Sequence, residues 1–469
     1  MGCTRNRSKI WGDLAVLIAF NSFLLFPSQI WAAIASQFSL SVGEEYSDNI
    51  FFRKKKESDF ITIITPTLSL YYAPTGQGAP TSRLNISPSG YIYAHHSDLN
   101  SFGFTNNGTI DGSYVYQYSP RLTFSVADAA TRQGQTRLGL GNGANQGFQA
   151  PQTPTTPISP LVPQLPSQNL QNFVSSGDQL TNNFSLQGNF LFRPDVSFNG
   201  GYTNQYTKFI SRGGTDISHT FAVRGVYNWK QEHNLHAGYS ISINNSRNGD
   251  NGFIHNFDFG DDYFTSQIYN IQITPTLSLS ASTGLSINTS NSGPRVANNS
   301  TITVTKLWET ASFAAGLRKG LTPSFGISGV SDTTDLFSNF SIQLAERLTG
   351  NAGTDLSFYD TKDVNFKTFQ ASAGLQYQFT TWLSSSLVYA YQVIDSGAGA
   401  SSTDLLTRGK VSASSVFLNF ATHFDLWPNF GLARSVPFSN LSPSLRTPFP
   451  SAIPGASTAP ATSSSPSIK

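Results

Sequence analysis

The sequence predicts an all-β fold: a transmembrane, antiparallel, up-and-down β-barrel of about eighteen strands, with sixteen as the other acceptable count. Three observations predict it. From about Gln37 to Phe424, hydrophobic and aromatic residues trade places with Ser, Thr, Asn, Gln and Gly in two-residue alternation; no apolar run there is long enough for a spanning helix; and a secretion signal precedes the pattern. Successive side chains of a strand point to opposite faces, so this alternation makes one face fit for lipid and one fit for water. Composition agrees. Charged residues make up 12% of the chain and aromatic residues 13%, whereas soluble domains carry about 25% charged residues. A secreted β-sandwich or β-solenoid is the competing all-β reading, because those folds also alternate.

The elements follow in chain order. Arg5, Arg7 and Lys9 precede an apolar stretch from Leu14 to Phe26, and Ala32, Ala33 and Ala35 offer small-residue cleavage positions, so residues 1–35 are expected to be a secretory signal peptide. Its apolar core, about 13 residues, is shorter than the roughly 20 that span a bilayer. Removing it takes away Cys3, three basic residues and Asp13. The 29 Lys+Arg and 27 Asp+Glu become 26 of each, and a chain without net charge gives no reason to expect nucleic acid as a partner. Without cysteine, the remainder has no disulfides and no thiolate metal sites.

Residues 36–424 are expected to form the barrel, with strands at 37–46, 59–72, 82–96, 108–118, 121–132, 179–192, 196–208, 218–229, 233–245, 263–273, 276–289, 300–308, 311–319, 335–347, 352–361, 364–379, 383–395 and 408–424. In 218–229, Phe221, Val223, Tyr227 and Trp229 take one face and Thr220, Arg224 and Asn228 the other. In 364–379, Phe369, Ala371, Leu375 and Tyr377 oppose Gln370, Ser372 and Gln376. Pro66 and Pro88 fall inside expected strands, where proline marks an edge, a bulge or a turn. TPTLSL recurs at 65–70 and 274–279; if the second copy is a turn, the first is open to the same reading, and this keeps sixteen strands in play.

Turns at one end are short: YSPRL at 118–122, FRPDV at 192–196, ITPTL at 273–277 and FTTWL at 379–383, with KQEHN, WETAS and LTGNA in equivalent places. The other connections are longer and rich in Gly, Asn, Asp and Ser: 47–58, 97–107, 133–178, 209–217, 246–262, 290–299, 321–334 and 396–406. Short turns opposite long loops are the asymmetry of outer-membrane barrels, whose short side is periplasmic. The 133–178 segment is a long Pro/Gln-rich loop, either disordered outside or folded partly into the lumen as a constriction. Residues 425–469 are a Pro/Ser-rich tail that cannot form a ladder and is expected to be disordered, as a tether or as an unselected extension.

Barrels of about eight strands fill their interior with side chains, whereas sixteen to eighteen leave an aqueous channel, so passive diffusion of small hydrophilic solutes is what this fold class implies. The face assignment turns Gln187, Asn189, Arg224, Asn228, Gln343, Arg347, Gln370 and Gln376 inward. Such an amide-lined wall with scattered arginines suits uncharged or mildly anionic solutes; pairing of Arg224 and Arg347 with acids in the wall is the alternative. No catalytic residue, metal ligand or cofactor is expected. The histidines join no Ser and acid in a nucleophile setting, and His95 and His96, adjacent in an expected strand, point to opposite faces. GLGNGA at 139–144 lacks a βαβ unit. NGDNG at 248–252 and DFGDD at 258–262 read as solvated acidic loops, with a surface divalent cation as the other reading.

The run VGEEYSDNIFFRKKKESDFITIITPTLSLYY at 42–72, with hairpins such as LQYQFTTWLSSSLVYAYQ at 375–392, resembles the β-barrel porin families of Gram-negative bacteria, some members of which accompany exopolysaccharide and exosortase systems. The resemblance covers roughly 37–424. It implies an outer-membrane location and a transport role, with lipid, periplasmic chaperones, the barrel-assembly machinery and small hydrophilic solutes as partners and homo-oligomerisation left open. It supplies no catalytic residues. A structural or export-associated barrel linked to exopolysaccharide secretion is the alternative function. Barrels of this kind usually end on an aromatic residue closing the last strand, whereas here about 45 residues follow Phe424.

Overall fold

A computed structural model of the chain describes residues 34–72, 81–104, 107–133, 178–210, 213–230, 233–246, 251–268, 271–290, 293–308, 310–323, 330–361, 365–396 and 409–427. Residues 1–33, the 134–177 segment and the tail beyond Trp427 lie outside them. Twenty strand segments form one antiparallel sheet. One is a two-residue stub, Ser101–Phe102, and two are the halves of a single stave, so the wall has eighteen staves.

They are β1 (Ile34–Ser47), β2 (Asp59–Tyr72), β3 (Thr81–Pro88 and Gly90–Tyr93), β4 (Gly108–Ser119), β5 (Leu122–Gln133), β6 (Gln179–Arg193), β7 (Val196–Phe209), β8 (Thr215–Lys230) and β9 (His233–Asn245). The second half continues with β10 (Gly252–Ile268), β11 (Ile271–Ser290), β12 (Gly293–Leu307), β13 (Ala311–Pro323), β14 (Val330–Ala345), β15 (Leu348–Asp360), β16 (Asn365–Gln378), β17 (Leu383–Ser396) and β18 (Gly409–Trp427). Each stave pairs with its sequence neighbours, and β1 pairs with β18 from Ser36↔Trp427 to Ser47↔Ser415, which closes the barrel. Closure leaves no edge strand with unpaired backbone groups. The wall runs from Ile34 to Trp427, against the expected 36–424.

Eighteen is the expected count, and the prolines explain why sixteen competed with it. Both copies of TPTLSL are strand, not turn. Proline cannot donate to a ladder, and in each copy the ladder lapses beside it. On its β3 side, β2 pairs at Ile61–Ile64 and again at Leu68–Tyr72, skipping Pro66 where β3 is interrupted at Ser89. On the other, β11 pairs with β10 at Gln272 and resumes at Leu277, skipping Pro275. Residues 273–277, expected as a turn, are therefore strand, and LTGNA lies within β15, its turn being Glu346–Arg347.

Three expected loops are also largely strand. Residues 252–262, 293–299 and the flanks of 324–329 extend β10 and β12–β14 well past the expected ends. From β4 onward every stave has 12 to 20 residues, more than the about 9–11 that cross a bilayer, so the hairpins project beyond the span at the long-loop end. The density of Asn, Asp and Gly in these segments resembled loop composition while the alternation continued beneath it.

The faces are sorted as in a membrane barrel. Large apolar side chains are exposed on one face, Phe221 at 48% and Trp229 at 55%, while Thr207 and Ser286 on the other are fully buried. This reverses the pattern of a soluble protein. Aromatic residues gather at the short-turn end of the outer face, including Tyr118, Phe192, Trp229, Trp308, Trp382 and Phe424, and Trp382 stacks on Phe424. At mid-strand the hydroxyls of Tyr202 and Tyr239 each meet a histidine Nδ1, of His219 and His255, at 2.9 Å.

One apolar cluster is inside the barrel. Ile61 and Ile63 of β2, Tyr93 of β3, Val388 and Ala390 of β17 and Phe417 of β18 share the inner face with Ile50 from the first loop, and Phe51 and Leu99 pack against them. The Phe417 ring lies over Gly43 of β1, where a Cβ would stand 2.6 Å from it. The first loop is folded onto this cluster and anchored. Asn49 donates to the carbonyls of Arg53 (2.7 Å) and Ser412 (2.9 Å) and accepts from the Arg53 amide, while Asp48 accepts from the Ser414 amide (2.6 Å) and from Lys56 (2.6 Å).

A second anchor corrects the expectation for His95 and His96. They follow the end of β3 in a turn, not a strand, and both Nδ1 atoms converge on the Asp59 carboxylate, at 2.9 and 2.8 Å. The Asp59 side chain is fully buried and also accepts both histidine amides. The hydrogen bond to Asp59 holds the His96 imidazole above its ordinary pKa of 6.5, against a smaller opposing effect of desolvation. At Asp48 burial pushes the carboxyl up, but the hydrogen bonds from Lys56 and Ser414 together outweigh it and leave the group below 3.8.

Replacing Asn49 by Ala removes three bonds, at a cost of about 1–3 kcal/mol for the buried backbone groups left unpaired. Trypsin cleavage of the folded barrel at the Arg53–Lys56 run should accelerate by about ten-fold. The loop should also be pH-sensitive in both directions. The raised His96 pKa stabilises fully below pH 6.5 and ceases to as the pH rises through the folded value, and the lowered Asp48 pKa stabilises above pH 3.8 and ceases to as the pH falls through its folded value. Hydrogen exchange of 48–58 and 94–100, corrected for intrinsic rate, should be slowest between these limits.

Candidate functional site

The candidate site is the inner face, which is built by strand parity. Side chains directly opposite across an antiparallel ladder share a face, so each assignment can be checked against a buried neighbour. Gln187 is opposite the buried Ser125, and Asn189 is opposite Asn199. Arg224 and Asn228 share the inward parity of Ser218 and Thr220, both buried. Gln343 and Gln376 are both opposite Thr349, which makes one polar row across β14–β16, and Gln370 is opposite Asp355. Arg347 differs. β14 ends at Ala345, so Arg347 occupies the turn, where its guanidinium donates to the Phe379 carbonyl of the next turn at 3.0 Å.

Acidic residues make this wall different from the amide-lined surface expected. In β8–β11, Asp258 ion-pairs with Arg224 at 2.8 Å across the intervening strand β9. The strand between them carries Gly238 at that register, and a Cβ there would meet the Asp258 carboxylate. The absence of a side chain is what lets the acid reach over. His236 is nearly buried, with Nδ1 3.7 Å from Asp262 and Nε2 4.0 Å from Asp258 and no hydrogen bond to either ring nitrogen. Asp262 accepts from the Ser280 hydroxyl at 2.5 Å. DFGDD is thus part of a strand, with Asp258 and Asp262 inward and Asp261 outward against His233 at 2.6 Å.

Two further sectors are similar. In β13–β16, Arg318 is opposite Asp335 and lies over the Phe337 ring at 4.4 Å, and Phe337 is opposite Asp355. Asp355 accepts from Ser357 at 2.8 Å, while the buried Oδ1 of Asp335 has no hydrogen-bond partner. In β3–β4, Asn85 donates to Asp111 at 2.7 Å and accepts from Arg83 at 3.0 Å. The sequence did carry a signal for these acids. Asp258 and Asp262 are out of phase with Phe257 and Phe259, as Asp335 and Asp355 are with Leu336 and Leu356. Among the described residues, no group of three or more His, Cys, Asp or Glu is arranged to hold a metal ion.

Comparison with known proteins adds little beyond this geometry. No family model and no curated protein matches the chain. Among solved structures, Acinetobacter baumannii OccAB3 matches at 10% identity over 84% of this chain and 100% of its own, with a TM-score of 0.44. Pseudomonas aeruginosa OccK2 (OpdF) matches at 9% identity and a TM-score of 0.45, and Pseudomonas aeruginosa OpdQ at 11% and 0.44, each over 84% of this chain and 98% of its own. Likeness at this level assigns neither family nor solute.

Substituting Gly238 by Val places a branched side chain where the Asp258 carboxylate crosses β9. The Arg224–Asp258 pair should break, and the folded, heat-modifiable barrel should lose about 1–3 kcal/mol in urea unfolding.

Proposed function

We propose that this protein is an outer-membrane channel for the passive diffusion of small hydrophilic solutes. The observation that carries the reading is the closed eighteen-stave wall with its apolar, aromatic-edged outer face and polar inner face. The outer face matches a hydrocarbon layer with an aromatic girdle at its short-turn edge. A barrel of this strand number is wide enough for water and solutes where nothing fills it. Both ends of the wall and the short turns then face the periplasm, and the first loop with its internal cluster narrows one side of the outer mouth. No described feature favours the export-associated alternative.

Purified full-length protein added to planar bilayers should give discrete conductance steps, and vesicles containing it should swell in small sugars but not in large dextrans. Absence of both responses from a heat-modifiable, folded preparation would remove the channel reading.

A further inference from the structure

We propose that the lumen prefers cations: small inorganic ones and organic solutes bearing an ammonium or guanidinium group. The inference rests on the channel reading and adds the charge class of its solutes. Its basis is a radial sorting of charge that the near-neutral composition conceals. Every strand lysine with a described side chain, namely Lys208, Lys306, Lys319, Lys367 and Lys410, has the parity of the outer face. Among the described residues the strand cations on the inner face are the arginines Arg83, Arg224, Arg295 and Arg318.

In two of three sectors carboxylates exceed guanidiniums on the inner wall, and in the third the numbers are equal. Around β1–β4, Glu45 and Asp111 share the wall with one arginine, Arg83, while the buried Asp59 is held by His95 and His96. Around β8–β10, Asp216, Asp258 and Asp262 face Arg224, which is already engaged with Asp258. Around β12–β15, Asp335 and Asp355 share the wall with Arg318 and with Arg295, whose guanidinium donates to the Asp360 carbonyl.

A surplus of fixed carboxylate inside a low-dielectric wall raises the local concentration of mobile cations and excludes anions. The β13–β15 sector also shows which organic cations suit it. Arg318 presents a guanidinium to the face of Phe337 between two carboxylates, the combination of ring and acid that holds such groups. The basic run Arg53–Lys56 opposes this preference at the outer mouth, but it is exposed there and salt screens it.

The test is the reversal potential of the purified full-length protein in a planar bilayer under a potassium chloride gradient. The wild type should pass potassium over chloride by about two-fold or more. Asp111 and Asp355 lie on well-separated staves and are only half-buried, so D111N/D355N keeps side-chain shape while removing two charges from the wall. It should lower the ratio by about two-fold, and Arg318→Gln should raise it. A wild-type ratio at or below unity, or a ratio that D111N/D355N leaves unchanged, overturns the inference. If the double variant does not form a heat-modifiable barrel, wild-type current carried by arginine hydrochloride against that carried by sodium glutamate decides, and larger glutamate current overturns the inference. A preparation that conducts nothing overturns the channel reading itself and the charge preference with it.

Discussion

The ladder between β1 and β18 is the interaction on which the rest depends. An open sheet of this length would present two rows of unpaired N–H and C=O groups, each costing several kcal/mol in hydrocarbon. Joining the chain's first and last strands removes both rows at once. It also makes one face of every strand an interior, and all later distinctions between wall and lumen follow from that. The same demand explains the prolines. Pro66 and Pro275 are tolerated in long strands because the neighbouring ladder is already interrupted beside them, by the break in β3 and by the irregular start of β11.

Closure also produces an environment absent from a flat sheet. Side chains on the concave face approach one another across several strands, and glycines then act as gaps through which longer groups pass. Gly238 makes room for the Asp258–Arg224 pair, and Gly43 for the ring of Phe417. The first loop uses the same concavity differently, laying Ile50 against an apolar cluster that sits within an otherwise polar interior. Apolar burial therefore occurs inside this barrel as well, both beneath that loop and at the stacked, buried rings of Tyr359 and Phe366.

Much of the wall was legible in the sequence. Where polar residues alternated with aromatic ones, as in β8, β9 and β16, the strands and their faces follow directly, and the turns at Pro120, Pro194 and Phe379–Trp382 stand where their composition puts them. Legibility failed where two signals competed. In β10, DFGDD has the composition of a loop and the parity of a strand, and ladder pairing on both sides decides for the strand. At His95 and His96 the reverse holds: strand-like sequence leaves the sheet because the buried Asp59 carboxylate offers four hydrogen bonds to that turn.

By itself, the sequence determined the all-β class, the two-faced strands and the approximate strand number, because alternation is a local property with a period of two. Only the tertiary structure decided which acids line the interior and which cations they meet, because such contacts join residues that no local period relates. Arg224 and Asp258 are 34 positions apart and two strands away, and Asn49 reaches Ser412 across the closing seam. The described strand lysines are outside while acids stand on both faces, so a near-neutral composition does not show which acids line the interior. The two faces separate only when the sheet closes and gives each parity a side.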